Sequence, residues 1–282
     1  MKTRYQIVAS AENTPYMGWQ CKLFYFSCVT RLNHQPIIIV HDSGRDWHPD
    51  FHDLAKAGCA IYPAPSYRVN ADGYDYACRN QAGSLIHAAD LLAGKASFIV
   101  LCDTDMIFAT EPQFPDALSG DFCSYMDFNK EYVSEPKRKL GIERELSDAE
   151  KEALRCGVPY VIPIKDAPQI GRTWLEAMDL FESHNWGNIM YAFGLAVTKL
   201  GLNINLTHLV DHNYWPDEKL NRAMIHYCHE NERWNKREYW TTEGAKDVWN
   251  SSGGAPRETI HGELLAQIRE ARDFYRDVYF PA

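Results

Sequence analysis

The chain has eight cysteines and not one CxxC pair. They are scattered as Cys21, Cys28, Cys59, Cys78, Cys102, Cys123, Cys156 and Cys228, several inside apolar runs, so they are expected to be reduced and to act as small hydrophobes. Also missing is an apolar run long enough to cross a bilayer, and Met1-Lys2-Thr3-Arg4-Tyr5 leads straight into a strand-like segment without a signal-peptide core. The expectation is a soluble, cytoplasmic protein with no membrane partner. Positive charge is short as well: the net charge of −9 disfavours broad electrostatic binding to nucleic acid or anionic membrane and leaves room only for a local basic patch. There is no internal repeat, low-complexity tract or Pro/Gly/Ser linker, and 282 residues suit one elaborated α/β domain. Oligomeric state is not written in such a composition.

What is present centres on Phe98-Ile99-Val100-Leu101-Cys102-Asp103-Thr104-Asp105-Met106-Ile107-Phe108. Its first half is an apolar, β-favouring run too short for an ordinary helix, and it ends in two carboxylates one residue apart. That pattern reads as a buried strand delivering acids at its carboxyl end, where open α/β sheets bind ligands. Two aspartates so spaced can both reach a hard divalent cation that also holds a diphosphate. The plainer reading, that Asp103 and Asp105 merely end a strand and cap a turn, stands beside it.

Upstream, a strand at Tyr5–Ser10, a helix at Gly18–Leu32, a strand at Pro36–Val40, a short helix at Pro49–Ala57 and a strand at Cys59–Tyr62 alternate as in a parallel sheet with crossovers. Asn80–Ala93, stopped by Gly94, reads as the helix before the central strand. Downstream, Asp121–Phe128 reads as a strand, and Asn129–Cys156 is a strongly charged segment containing Lys137-Arg138-Lys139. It is expected to be a solvated or mobile insertion, with a lid or an anion grip as the functional alternative. Helices at Gly171–Ser183 and Gly187–Leu200 follow, the latter apolar nearly all round, then strands at Asn203–Leu209 and Ala223–His229 and a surface helix at Glu258–Tyr279. A histidine in an apolar strand, such as His226, is by itself more often a core residue than a ligand.

Several segments, in order, resemble the GT-A glycosyltransferases and within them the hydroxyproline O-arabinosyltransferase and peptidyl serine α-galactosyltransferase group. They are Tyr16-Met17-Gly18-Trp19-Gln20, Arg79-Asn80-Gln81-Ala82, Ile99 to Ile107, Trp174 after Lys165-Asp166, Met190-Tyr191-Ala192-Phe193 and Ile225-His226-Tyr227. The resemblance spans Tyr5 to about Trp234. It implies a Rossmann-like, mostly parallel sheet flanked by helices, with a nucleotide-binding half at 1–108, an acceptor and metal-completing half at 109–235 and a helical tail at 236–282. One departure is Ile189, standing where the family pattern has an acidic residue before Met-Tyr-Ala; Asn188 is the neighbouring substitute.

On this resemblance, Asp103, Asp105 and His226 hold Mn²⁺, with Mg²⁺ as the alternative ion and His229 as the fallback ligand. Ala9, Ser10, Asn13, Tyr16, Asn80 and Thr104 contact a nucleotide-sugar donor, a UDP-sugar first, and Arg79, Asp166 and Asn188 serve catalysis or sugar and acceptor binding. Transfer goes to an acceptor hydroxyl, with retention; peptide, glycan and hydroxymethylated DNA base are open, DNA being disfavoured by net charge. The rivals are a haloacid-dehalogenase-type phosphatase, which normally carries Asp-x-Asp on its first strand, and a non-catalytic nucleotide-sugar-binding homologue, to which Ile189 points.

Overall fold

The computed structural model describes residues 3–42, 46–181 and 185–279. The fold is mixed α/β, with a large, mostly parallel central sheet flanked by helices. Its elements begin β1 (Thr3–Glu12), α1 (Pro15–Arg31), β2 (Ile37–Asp42), α2 (Pro49–Lys56), β3 (Ala60–Pro65), α3 (Arg79–Leu92) and β4 (Ala96–Asp103). They continue as β5 (Met106–Phe108), β6 (Ser119–Phe122), α4 (Glu131–Lys139), α5 (Asp148–Ala153), β7 (Cys156–Pro163), α6 (Ala167–Met178) and α7 (Asn188–Lys199). Last come β8 (Asn205–Thr207), β9 (Val210–His212), β10 (Met224–His226), α8 (Thr242–Asp247) and α9 (Ile260–Tyr279). The chain divides into two compact units, neither contiguous in sequence: residues 1–10, 64–102 and 114–208, and residues 11–63, 103–113 and 209–282.

In the first unit the strands neighbour one another as β1-β4-β7-β6-β8. β7 runs antiparallel to both β4 and β6, with Phe98 opposite Pro163 and Phe122 opposite Cys156, while β6 and β8 are parallel. α3, α6 and α7 pack in sequence. The α3–α6 approach is close enough that a Cβ on Gly171 would sit 2.6 Å from Ile86 Cγ1, so only glycine fits there. Tyr160 stacks on Phe193 with ring centroids 3.8 Å apart, and Trp174 meets Phe193 edge-on at 4.9 Å.

The charged segment is more ordered than its composition suggests. α4 buries Val133 and Pro136, the chain flanking α4 and α5 buries Leu140, Ile142, Leu146 and Leu154, and Ser147 opens α5 with a reciprocal capping box to Glu150. Lys137 pairs with Glu145 at 3.5 Å and Lys139 with Glu135 at 2.9 Å, so two of the three basic residues meet an acidic partner within their own segment.

The second unit has a three-stranded sheet in the order β5-β10-β9. β10 runs antiparallel to β5 and parallel to β9. α1, α8 and α9 share one core, which includes Trp19, Leu23, Ile107, Ile225, Tyr227, Leu264 and Ile268. α9 is therefore not the surface helix its charge suggested. Its Ile260, Leu264, Leu265, Ile268, Ala271 and Tyr275 are buried, Gln267 donates to the Phe108 carbonyl at 2.9 Å, and the Tyr275 hydroxyl donates to the Lys22 carbonyl at 2.9 Å.

Other boundaries move for local reasons. α1 starts at Pro15 rather than Gly18, because Thr14 accepts from the Met17 amide as N-cap and proline suits the first helical position. α6 starts at Ala167, again with a proline in its first turn. It is described to Met178; Glu182 to His184, where its expected end at Ser183 falls, lie outside the described residues. The strand expected at Asp121–Phe128 is instead the short β6, since backbone turns begin at Cys123. No helix among the described residues is long and apolar enough to cross a membrane.

Candidate metal centre

β4 is apolar because it is enclosed: Ile99, Val100, Leu101 and Cys102 have no solvent exposure. It ends on Asp103, and after the turn at Thr104-Asp105 the chain resumes as β5. β5 then recruits β10, with Met106 opposite His226, and the Tyr227 amide donates to the Asp105 carbonyl at 3.0 Å. A ladder of three residue pairs thus closes a sequence gap of 121 residues.

The consequence is a triad. His226 Nε2 lies 3.1 Å from Asp105 Oδ1 and 3.7 Å from Asp103 Oδ2, and one ligand atom from each residue falls within 4.8 Å of the others. Lys236, in the short 3₁₀ turn Lys236–Tyr239, completes the cluster by ion-pairing through Nζ with Asp105 Oδ2 and hydrogen bonding with Tyr16.

Beneath the acid turn lies a bed of aromatic rings. Trp19 stacks on Tyr227 at 6.0 Å, meets Trp234 and Tyr239 edge-on, and donates through Nε1 to the Tyr239 carbonyl at 3.2 Å. The Tyr227 hydroxyl donates in turn to the Thr104 carbonyl at 3.3 Å. Thr104 itself is buried, with its hydroxyl 3.4 Å from Gln20 Oε1.

The electrostatics follow from this crowding. Burial and the charge of Asp105 push Asp103 up to about 7, although its side chain is 37 % exposed and water moderates the repulsion. Burial would also raise Asp105, but Lys236 and His226 outweigh it and hold that carboxyl well below the usual range. Burial would lower His226, yet the neighbouring Cys228 and Asp105 hold it above the ordinary histidine range. For Lys236, burial is likewise overcome by Asp105, which keeps the ammonium charged.

Two carboxylates and an imidazole form the donor set of an oxygen-preferring divalent ion, and the mutual repulsion of Asp103 and Asp105 is what such an ion relieves. Burial and Asp105 favour a proton on Asp103, and Cys228 and Asp105 favour one on His226, so an ion bound here would compete with both protons. Metal affinity should therefore rise with pH through about 7, by roughly tenfold per pH unit for each proton displaced. Calorimetric titration of Mn²⁺ on either side of that pH checks this, and an affinity indifferent to pH contradicts it.

The remaining sequence-derived residues divide between the units. In the second, Tyr16 sits in the first turn of α1 against the exposed Trp240, with ring centroids 4.4 Å apart. Asn13 ties two backbone segments together, accepting from the His48 amide at 2.7 Å and donating to the Asp46 carbonyl at 3.0 Å. In the first unit, Ala9 is buried and Ser10 half-buried on β1.

Arg79 and Asn80, also in the first unit, open α3 as expected, but both are buried and committed to structure. The Arg79 guanidinium pairs with Asp179 and donates to the Tyr67 carbonyl, and Asn80 accepts from the Tyr67 amide at 2.8 Å. Asp166 is the half-buried N-cap of α6, without a side-chain capping bond. Asn188 is buried at the start of α7. Ile189 is held through its backbone, its amide donating to the Tyr76 hydroxyl and its carbonyl accepting from Trp174 Nε1.

Lys236 was not anticipated. Its only trace in the sequence is a cation placed between Trp234 and Trp240, ten residues after His226. His229, the fallback ligand, is brought instead to His212 and Cys228.

No family model matches the sequence, and no curated protein matches it. Solved structures do. A galactosyltransferase, LgtC, in complex with donor and acceptor sugar analogs, is similar over 90 % of this chain and 98 % of its own, at 15 % identity and a TM-score of 0.54. An active-site mutant of LgtC is similar over 92 % of this chain and 100 % of its own, at 14 % identity and the same TM-score. Matches of this kind establish architecture: the chain has the GT-A fold of these glycosyltransferase structures.

Proposed function

We propose that the protein is a metal-dependent glycosyltransferase that moves a sugar from a nucleoside diphosphate sugar, a UDP-sugar first, to an acceptor hydroxyl. The observation that carries this reading is the convergence of Asp103, Asp105 and His226 at the end of β4, in a fold shared with an enzyme solved with donor and acceptor sugar analogs. Asp103, Asp105 and His226 would hold Mn²⁺, or Mg²⁺, which would supply positive charge to offset that of a diphosphate leaving group.

The chain's own groups do the rest. Lys236 carries an ammonium beside the same carboxylate, placed to donate to a phosphate oxygen as charge develops on it. The aromatic bed under Thr104 fixes the acid turn, so little reorganisation is needed when the donor arrives. Tyr16, with Asn13, Thr104, Ala9 and Ser10, is assigned to the donor side, while Asn80, whose side-chain oxygen holds the Tyr67 amide, is a positioning residue. Asp166 and Asn188 are assigned to sugar or acceptor contacts. Arg79, whose guanidinium is committed to Asp179, acts as a positioning residue for the Tyr67 loop.

Transfer with retention fits a site in which the leaving phosphate takes the acceptor's proton on the same face. Two of the three basic residues of α4 are already ion-paired and the net charge is −9, which disfavours a DNA acceptor and leaves peptide and glycan hydroxyls ahead. The phosphatase rival loses its ground because Asp103 ends the fourth strand of the chain rather than the first.

A panel of nucleotide sugars with and without Mn²⁺, read by thermal shift and donor hydrolysis, tests the reading. A UDP-sugar should stabilise the protein only with metal present and should be slowly hydrolysed. Binding that persists in chelator counts against it, and tight binding with neither hydrolysis nor transfer favours the non-catalytic homologue.

A further inference from the structure

Beside the carboxylate triad the second unit carries a cluster of different chemical character: His212, Cys228 and His229, whose ligand atoms lie within 4.8 Å of one another. We propose that it is a second metal site, taking Zn²⁺ through one thiolate and two imidazoles with the fourth position left open.

The strand register brings the cluster together. β9 and β10 run parallel with His212 aligned to His226, so the chain leaving β10 passes the end of β9 and places Cys228 Sγ 3.9 Å from His212 Nδ1. The two segments are then locked to each other by Asn213. Its side-chain amide donates to the His229 carbonyl at 2.7 Å and its side-chain oxygen accepts from the His229 amide at 2.9 Å. Its backbone amide donates to the His226 carbonyl at 3.3 Å, and its carbonyl accepts from Asn231 at 2.9 Å.

Asn213 is 1 % exposed, and this double clamp on one buried amide fixes the backbone that bears all three ligands. A metal site needs that kind of support, because ligands held in place by their surroundings lose little entropy on binding. All three ligands are half-buried, so an ion can enter.

Ligand chemistry separates the two sites. Carboxylate oxygens favour Mg²⁺ and Mn²⁺, whereas a thiolate with imidazoles selects zinc or another soft ion. Three protein ligands with a fourth position open to water is a common zinc arrangement. The rings of His212 and His226 are 5.6 Å apart, so an ion bound at the soft site would brace the strand pair that positions His226.

Titrating the metal-stripped full-length protein with Co²⁺, as a coloured stand-in for zinc, tests this. The expected result is a near-ultraviolet thiolate-to-cobalt charge-transfer band that saturates at one equivalent and is chased by Zn²⁺. The band should survive Asp105→Asn, which removes a ligand of the oxygen site and none of this one, and vanish in Cys228→Ser. His229→Ala should keep the band but weaken binding about tenfold or more. Should Cys228→Ser lose its circular dichroism, His212→Ala takes its place, with the same weakening expected. No charge-transfer band, a band that persists in Cys228→Ser, or binding unaffected by both histidine substitutions overturns the proposal. The carboxylate site is scored separately by Mn²⁺ affinity, so failure here leaves the proposed glycosyl transfer untouched.

Discussion

Asp105→Asn should abolish metal-dependent binding of nucleotide sugar and lower turnover by about 10²- to 10³-fold, the scale for losing one preorganised electrostatic contact to a developing charge. The substitution keeps the shape of the side chain and the backbone bond from the Tyr227 amide. It removes the charge that both His226 Nε2 and Lys236 Nζ address. A purely structural Asp105 would show a loss of stability with binding intact in whatever protein remains folded. Mn²⁺ calorimetry and a transfer assay on the folded variant distinguish the two.

Lys236→Met is the informative partner, because its two effects should have opposite signs. Without the ammonium, Asp105 is freed for the metal, so Mn²⁺ affinity should hold or rise. Affinity for a nucleoside diphosphate should fall about 10- to 100-fold, as expected for one charge-assisted hydrogen bond. If both affinities fall together, Lys236 serves only to hold the acid turn in shape.

The largest stability effect is expected at Trp19→Ala, at about 3–5 kcal/mol by denaturant unfolding. Trp19 is fully buried and touches Tyr227, Trp234 and Tyr239. Removing it leaves a void under the turn that carries the acids. Trp19→Phe should cost less, since it keeps a ring in the cavity and forfeits chiefly the bond to the Tyr239 carbonyl, about 1 kcal/mol. Because Tyr227 directly follows His226, Mn²⁺ affinity should fall with stability in Trp19→Ala. A variant as stable as wild type would show that the aromatic bed does not support the site.

Local sequence determined a good deal of this protein. Enclosed strand segments such as Ile99 to Cys102 read as unbroken apolar runs, and amphipathic helices such as α6, which buries Ile170, Trp174, Ala177 and Met178, show their buried spacing directly. The Asp103-Thr104-Asp105 turn was visible because a short apolar strand must end somewhere, and acids one residue apart share a neighbourhood wherever the chain goes. Even so, the charge on α9 hid a core helix, since a helix can bury one rich face while the rest stays polar. The charged segment at 129–156 hid two helices because few of their residues are apolar: α4 buries Val133 and Pro136 and α5 buries none, while Leu140, Ile142, Leu146 and Leu154 beside them anchor the segment.

The Asp103, Asp105 and His226 grouping was legible only through the family resemblance, and the tertiary structure decided how these and the other candidate ligands come together. His226 meets the acids through the β5–β10 ladder, and Lys236 arrives from a turn further on. Cys228 and His229 meet His212 because of the β9–β10 register and the Asn213 clamp. Strand pairing is set by the packing of whole faces rather than by any residue's neighbours in the chain. A sequence can thus fix which groups are capable of ligation, while the sheet decides which of them lie within reach of one another.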